Sequence, residues 1–150
     1  MRTEHMLCLS LHAASRAMTR AYQPLLDALG LTYPQYVVLV ALWDEDAQPV
    51  GAIGRRLMLD TNTLTPMLKR METAGLVRRT RSPRDERQVI VSLTEAGRAM
   101  EARAAHVPAR IVAATGLSPE ALRDLNARVS ALKDSLARED REREDRERED

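Results

Sequence analysis

Apolar residues at Leu7, Leu11, Ala14, Met18, Ala21 and Leu25 recur in alternating steps of four and three, the seam of an amphipathic helix that packs on another helix. Gly30 ends it. A second helix is expected after Thr32, because Pro34 suits a first turn, Thr32 or Tyr33 can cap it, and Val37 to Trp43 is an apolar run. Asp44 to Pro49 reads as a loop and Val50 to Met58 as a short helix. Asp60 or Thr61 then caps a helix that runs through Leu64, Met67, Leu68 and Met71 to a stop at Gly75, with Pro66 tolerable only in its first turn. The period changes at this point. Leu76 to Thr80 and Gln88 to Leu93 are short alternating runs flanking the polar turn Arg81 to Arg87, the pattern of a two-stranded hairpin. Thr94 caps a helix reaching about Thr115, with a kink expected at Pro108 and a stop at Gly116. Ser118-Pro119-Glu120 opens a last helix whose stripe of Leu122, Leu125, Val129, Leu132 and Leu136 needs a partner.

A capped helix directly followed by a charged hairpin is the layout of a winged helix-turn-helix, in which the second helix of the pair enters the major groove and the wing an adjacent groove. Charge agrees with that layout. The formal net charge is +1, but residues 138–150 carry five Arg against eight Asp plus Glu, which leaves residues 1–137 at +4. Within them Arg55 to Gln88 holds nine Lys or Arg against four Asp or Glu, the local basic patch expected of a polyanion partner; on composition alone a solvated charged face reads equally well.

Composition narrows the rest. A chain of 150 residues with 44% apolar residues builds one real core. Membrane spans and export are not expected, since no run approaches eighteen apolar residues and the first residues lack a signal's basic and apolar regions. The single cysteine, Cys8, can form neither an intrachain disulfide nor a cysteine-rich zinc site, and His5, His12 and His106 have no metal-ligand spacing, so the expected compartment is the cytoplasm and no cofactor is expected. Nucleotide-binding and hydrolase fingerprints are absent, which argues against an enzyme.

Several spaced motifs together resemble a known family. Leu59-Asp-Thr-Asn-Thr-Leu-Thr-Pro-Met-Leu-Lys-Arg-Met-Glu72, Gly75-Leu-Val, Ser82-Pro-Arg-Asp-Glu-Arg87 and Ser92-Leu-Thr-Glu-Ala-Gly97 resemble the MarR family of winged-helix regulators, with Asp85-x-Arg87 in the wing as the core of the likeness. Leu7-Cys-Leu-Ser, Tyr22-Gln-Pro-Leu-Leu and Leu31-Thr-Tyr-Pro-Gln-Tyr36 are similar to its organic hydroperoxide resistance type. The likeness covers roughly residues 5–137. It implies a mainly α fold with a small β-hairpin wing, dimerised through N- and C-terminal helices. Residues 1–137 then form a single domain, with 32–96 as its DNA-binding part and 1–31 and 97–137 as dimerisation helices, followed by a charged tail over 138–150. It implies a homodimeric repressor that holds a pseudopalindromic double-stranded operator when reduced and releases it after reaction with an organic hydroperoxide. Its reactive cysteine falls at Cys8, and the two tyrosines that hydrogen-bond to it match Tyr22 and Tyr33. Some relatives carry a second, resolving cysteine; this chain has none, so a small cellular thiol becomes the expected partner of oxidised Cys8.

A lone cysteine on an apolar helix is otherwise an inert core residue. Proximity to a helix N-terminus favours a thiolate, and His5 or His12, one turn away on either side, would add to that if protonated, a surface-satisfied imidazole being the plainer role. Cys8 and Tyr22 are fourteen residues apart, about 21 Å along one helix, so a contact between them has to come from two subunits with antiparallel first helices. Tyr36 and Trp43 read as core, with some neighbours lining an apolar pocket beside Cys8. On the DNA side, Thr61, Asn62, Thr63 and Thr65 are expected to read base edges or phosphate oxygens, and Lys69, Arg70, Arg78, Arg79, Arg81 and Arg84 to hold phosphates. Arg87 is expected in the minor groove, with Asp85 aligning a neighbouring Arg. The competing functions are a repressor released by a non-redox phenolic ligand and a thiol peroxidase, the latter disfavoured by the missing resolving cysteine.

Overall fold

The computed structural model describes residues 6–149, and the chain forms two units, Met1–Val107 and Pro108–Asp150. The first unit holds α1 (Leu7–Asp27), α2 (Tyr33–Asp44), β1 (Gln48–Pro49), α3 (Val50–Leu57), α4 (Thr61–Thr73), β2 (Val77–Arg81), β3 (Val89–Leu93) and α5 (Glu95–Ala104). Then follow α6 (Val107–Thr115) and α7 (Pro119–Glu149). His5 lies outside the described residues.

Two helices of the first unit stop in the same way. Gly30 and Gly75 take φ of +71° and +74°, the left-handed geometry that glycine adopts without strain. After α1 the N–H of Leu31 donates to the carbonyl of Leu26, and after α4 that of Leu76 donates to Met71, each at 3.0 Å. All four of these side chains are buried, so each glycine stop is locked by an apolar contact. Between them, α2 starts with a full capping box: Thr32 accepts from the N–H of Gln35, and Gln35 Oε1 accepts from the N–H of Thr32. Its Tyr36, Val38, Leu39, Ala41 and Leu42 are all buried, and α1, α3, α5 and β3 pack around it. A helix apolar on every side is stable only as the centre of a core.

The sheet has three strands in the order β1-β3-β2, all antiparallel. The expected two-stranded hairpin is therefore corrected: Gln48 pairs with Val91 and Pro49 with Ile90, inside the segment whose polar residues read as loop. The buried Gln48 fixes this strand by donating its amide to the carbonyls of Ala41 and Glu45, which satisfies a polar group taken out of water. Asp46 ties the preceding turn to the sheet, accepting from the N–H of Leu93 and of Ala47 at 2.8 Å each and from Arg98 at 2.7 Å.

Three further expectations change. Pro66 is the sixth residue of α4 rather than a first-turn residue, so the Asn62 carbonyl has no donor four residues on. The single kinked helix over Thr94–Thr115 is two helices interrupted at Ala105 and His106, with Pro108 second in α6, where a missing N–H costs nothing. The seam of α1 is not covered within the described chain: only Leu26 of that helix is buried, while Leu7, Leu9 and Met18 are exposed.

In the second unit, Pro119 opens α7 and Ser118 Oγ accepts from the N–H of Ala121 at 3.2 Å. Leu125, Val129 and Leu136 of its stripe are exposed. The helix continues without a break through the charged tail. The i,i+4 spacing of the tail predicts Glu139–Arg143, Glu142–Arg146 and Glu144–Arg148 pairs, but Arg143 binds Asp140 at 3.0 Å, and Arg146 donates to the backbone carbonyl of Glu142; the side chain of Glu144 lies outside the described residues.

Candidate functional site

Helices α3 and α4 form a tight pair because the turn between them is built from residues that allow it. Met58 takes φ +53°, the N–H of Leu59 donates to Gly54 at 2.9 Å, and a Cβ on Gly54 would stand 2.9 Å from the Leu59 carbonyl oxygen. Leu64, Met67, Leu68 and Met71 bury one side of α4. The other side presents Thr61, Asn62, Thr63, Lys69 and Arg70 to solvent, with Thr65 half-buried. This is a surface of hydroxyls, one amide and two cations on a helix held rigidly from behind.

The wing is β2, β3 and the turn between them. Asp85 organises its tip: Oδ1 accepts from the N–H of Arg87 at 3.1 Å and from its Nε at 3.3 Å, and Oδ2 accepts from Gln88 at 3.2 Å. The arginine that Asp85 aligns is thus Arg87 itself, whose side chain is 93% exposed. Arg78, Arg81 and Arg84 are exposed as well.

Arg79 stands apart from that group. Its side chain is only 18% exposed, its Nη1 lies 3.6 Å from Glu72 Oε2, and its own N–H donates to Glu72 Oε1. The alternation of strand β2 puts Arg79 on the same face as the buried Val77, a signal that period-two reading of the segment contains. Arg79 turns into a cleft of about 470 Å³ between α3, the start of α4 and the wing, which Arg55, Thr61, Thr65, Arg87 and Gln88 also line. Arg55 has no place among the residues expected from the sequence to bind DNA. Its charge is plain in the sequence, but only the packing of α3 beside the wing gives it a neighbour.

Cys8 is exposed and is the second residue of α1. Tyr22, on the same helix, stacks at the other end: its ring centroid is 5.0 Å from that of Tyr33 and 5.8 Å from that of Tyr36. Tyr36 is buried and packs edge-on against Trp43 at 6.1 Å, and Trp43 Nε1 donates to the carbonyl of Gly97 at 3.0 Å. Burial, then the neighbouring Tyr33 and Tyr36, raise the Tyr22 phenol above its ordinary pKa, and burial followed by Tyr33 does the same for Tyr36. Both phenols therefore remain protonated donors at neutral pH. The structure brings Tyr22 and Tyr33 together and leaves Cys8 of the same chain about 21 Å along the helix from Tyr22. A cavity of about 210 Å³ lies at the tyrosine end, lined by Leu26, Leu31, Tyr33 and Pro34 together with the polar Thr19, Gln23, Asp27 and Thr32.

With this geometry in hand, the resemblance to known proteins is specific. Residues 20–103 match the family model for the transcriptional regulator SarA/Rot. The chain is 46% identical over 136 residues to the organic hydroperoxide resistance transcriptional regulator of Bacillus subtilis, covering 91% of this chain and 92% of that one. Reduced AbfR bound to DNA, from the Staphylococcus epidermidis regulator, superposes with a TM-score of 0.73 at 36% identity, over 87% of this chain and 90% of the other. Bordetella bronchiseptica BpsR shares the fold, with a TM-score of 0.81 at 24% identity over 89% and 97% of the two chains. Among the described residues, no helix is long and apolar enough to cross a membrane.

Proposed function

We propose, from the premise that this chain belongs to the MarR family of winged-helix transcriptional regulators and to its organic hydroperoxide resistance type, that it is a homodimeric repressor switched by Cys8. The observation that carries the reading is the separation within one chain: an exposed cysteine at one end of α1 and a phenol pair, Tyr22 with Tyr33, at the other. Two copies with antiparallel first helices would bring each Cys8 to the partner's phenols, joining thiol chemistry to the spacing of two recognition helices. Residues 1–31 and 97–137 supply the dimer contacts in this reading, through the uncovered apolar residues of α1 and α7, while 32–96 bind DNA and 138–150 form a charged extension. The relative AbfR has been solved on DNA both reduced and overoxidized and, separately, with a disulfide formed, which supports a regulator with redox-active thiols.

The chemistry is a two-electron oxidation. The Cys8 thiolate attacks the distal oxygen of an organic hydroperoxide, an S–O bond forms as the O–O bond breaks, and the alkoxide leaves to take a proton and become the alcohol. With no second thiol in the chain, the sulfenic acid condenses with a small cellular thiol, releasing water and leaving a mixed disulfide. The pocket beside Tyr33 would take the alkyl part, which separates organic peroxides from hydrogen peroxide. On the DNA side, Thr61, Asn62, Thr63 and Thr65 read or position, Lys69, Arg70, Arg78, Arg81 and Arg84 hold phosphates, and Arg87, fixed by Asp85, enters the minor groove.

Cys8→Ser tests the switch. The variant is expected to bind the operator as wild type does and to stay bound in cumene hydroperoxide. Release of the variant by peroxide would refute the sensor, and release by a phenolic ligand alone would favour the non-redox repressor. Consumption of about one peroxide per subunit is expected; sustained turnover with a thiol reductant would mark a peroxidase.

A further inference from the structure

We propose that the cleft between α3, the start of α4 and the wing is a seat for one phosphodiester of the DNA backbone, and that Arg55, on the helix before the recognition helix, is one of its two cationic arms. The proposal rests on the DNA-binding reading above and adds to it a residue and a ligand group.

Arg55 approaches from α3 and Arg79 from β2, the hydroxyls of Thr61 and Thr65 complete the lining with Gln88, and Arg87 stands at the rim, paired to Asp85. Among the described residues no carboxylate lines the cleft, although Glu72 and Asp85 pair with Arg79 and Arg87 from outside it. Glu72 takes the backbone N–H and one Nη of Arg79, which orients the guanidinium, but the buried Nε has no hydrogen-bond partner. Arg55 makes no ion pair among the described residues and is exposed. It lies over Gly51, where even a Cβ would make only an ordinary 3.7 Å contact with Arg55 Nη1. Arg56, its neighbour in sequence, is by contrast committed to Asp44 and the Ala41 carbonyl. Arg55 and Arg79 face one cavity, and a phosphate there accepts from both guanidiniums and from both hydroxyls at once. The cleft opens between the recognition helix and the wing, the two elements that straddle a backbone strand in this fold. A strand phosphate therefore reaches it without bending any element.

The test uses the full chain and a 40-base-pair duplex selected with the wild-type protein from random sequence. Arg55→Gln is expected to bind this duplex about tenfold more weakly and to lower the slope of log K against log salt by about 0.9 per subunit, the share of a single neutralised phosphate. Arg55→Lys should keep the slope and recover part of the affinity, and thermal melts of both should match wild type. Neutral methylphosphonates placed one at a time along the duplex should reveal one position per half-site where wild type loses affinity and Arg55→Gln does not. If Arg55→Gln keeps wild-type slope and affinity while Arg87→Ala weakens binding, the seat is refuted and the DNA-binding reading stands. If neither variant weakens binding, the wing assignment itself fails. If inorganic phosphate inhibits wild type beyond chloride at equal ionic strength, through Arg55, yet no methylphosphonate position couples to Arg55, the cleft holds free oxyanions and the DNA assignment is overturned.

Discussion

A methyl group on Gly97 would stand 2.1 Å from the carbonyl oxygen of Leu76 and 3.1 Å from Leu93 Cδ2, distances at which backbone has to move. The Gly97 carbonyl also accepts the indole N–H of Trp43, and its own N–H donates to Thr94 Oγ1, so a single residue without a side chain joins α2, α5 and the base of the wing. Gly97→Ala is expected to cost about 3 kcal/mol, the upper range of overpacking, and to lower Tm by more than about 5 °C on that scale, about 2–8 °C per kcal/mol. Calorimetry at neutral pH checks it; an unchanged Tm would mean that α5 slides past the wing at no cost. The sequence displays this glycine only as part of a Ser-Leu-Thr-Glu-Ala-Gly motif, because its reason lies in a carbonyl twenty-one positions earlier in the chain.

Elements are legible where their signal is local. The cap of α2 at Thr32, the glycine stops after α1 and α4 and the alternation in β3 are written within a few residues each, and all are found. Strand β1 is not legible, since two residues containing a proline have no period and become a strand only against β3. The same holds for the role of Arg55, whereas the inward turn of Arg79 follows from its register with Val77. Asp46 connects these cases, because one carboxylate holds the turn before β1, the end of β3 and α5 together. Burial pushes its pKa up, but hydrogen bonds from Leu93, Ala47 and Arg98 outweigh burial and hold it below the ordinary Asp value. A lowered folded pKa means that the unfolded chain binds more protons there, so the stabilisation is complete above about pH 5 and is lost as pH falls below about 4, through the lowered value. Asp46→Ala should cost about 1–2 kcal/mol at pH 7, as expected for charge-assisted bonds at a partly exposed group. Melts of wild type and variant should converge toward about pH 3; a difference that persists there would assign the effect to packing rather than charge.

At the scale of the whole molecule, helices α1 and α7 each leave apolar residues uncovered in the described chain. Leu7, Leu9 and Met18 on α1 and Leu125, Val129 and Leu136 on α7 are all exposed, and apolar stripes on helices of this length are covered in solution. In the homodimer reading, Leu125→Arg combined with Val129→Arg should convert a dimer into a monomer in sedimentation equilibrium at micromolar concentration. Operator affinity should fall with it, because each half-site then binds alone. An unchanged dimer would move the interface away from α7. The charge distribution acts at the same scale: the −3 of residues 138–150 opposes the +4 of residues 1–137, so the chain is nearly neutral overall while its DNA-facing elements are strongly basic.

Pro66 in the second turn of α4 carries one more consequence. Because it brings no N–H, the carbonyl of Asn62 is left open on the exposed first turn of the recognition helix. That oxygen is an acceptor that belongs to the backbone, and an alanine scan of α4 is blind to it: replacing Thr61, Asn62, Thr63 and Thr65 one by one should leave a residual sequence preference at one operator position. Pro66→Ala closes the carbonyl with an intrahelical bond while changing none of those side chains. It should raise Tm and relax the preference at that one position in a binding-site selection; a selected sequence identical to that of wild type would show that the open carbonyl faces water alone.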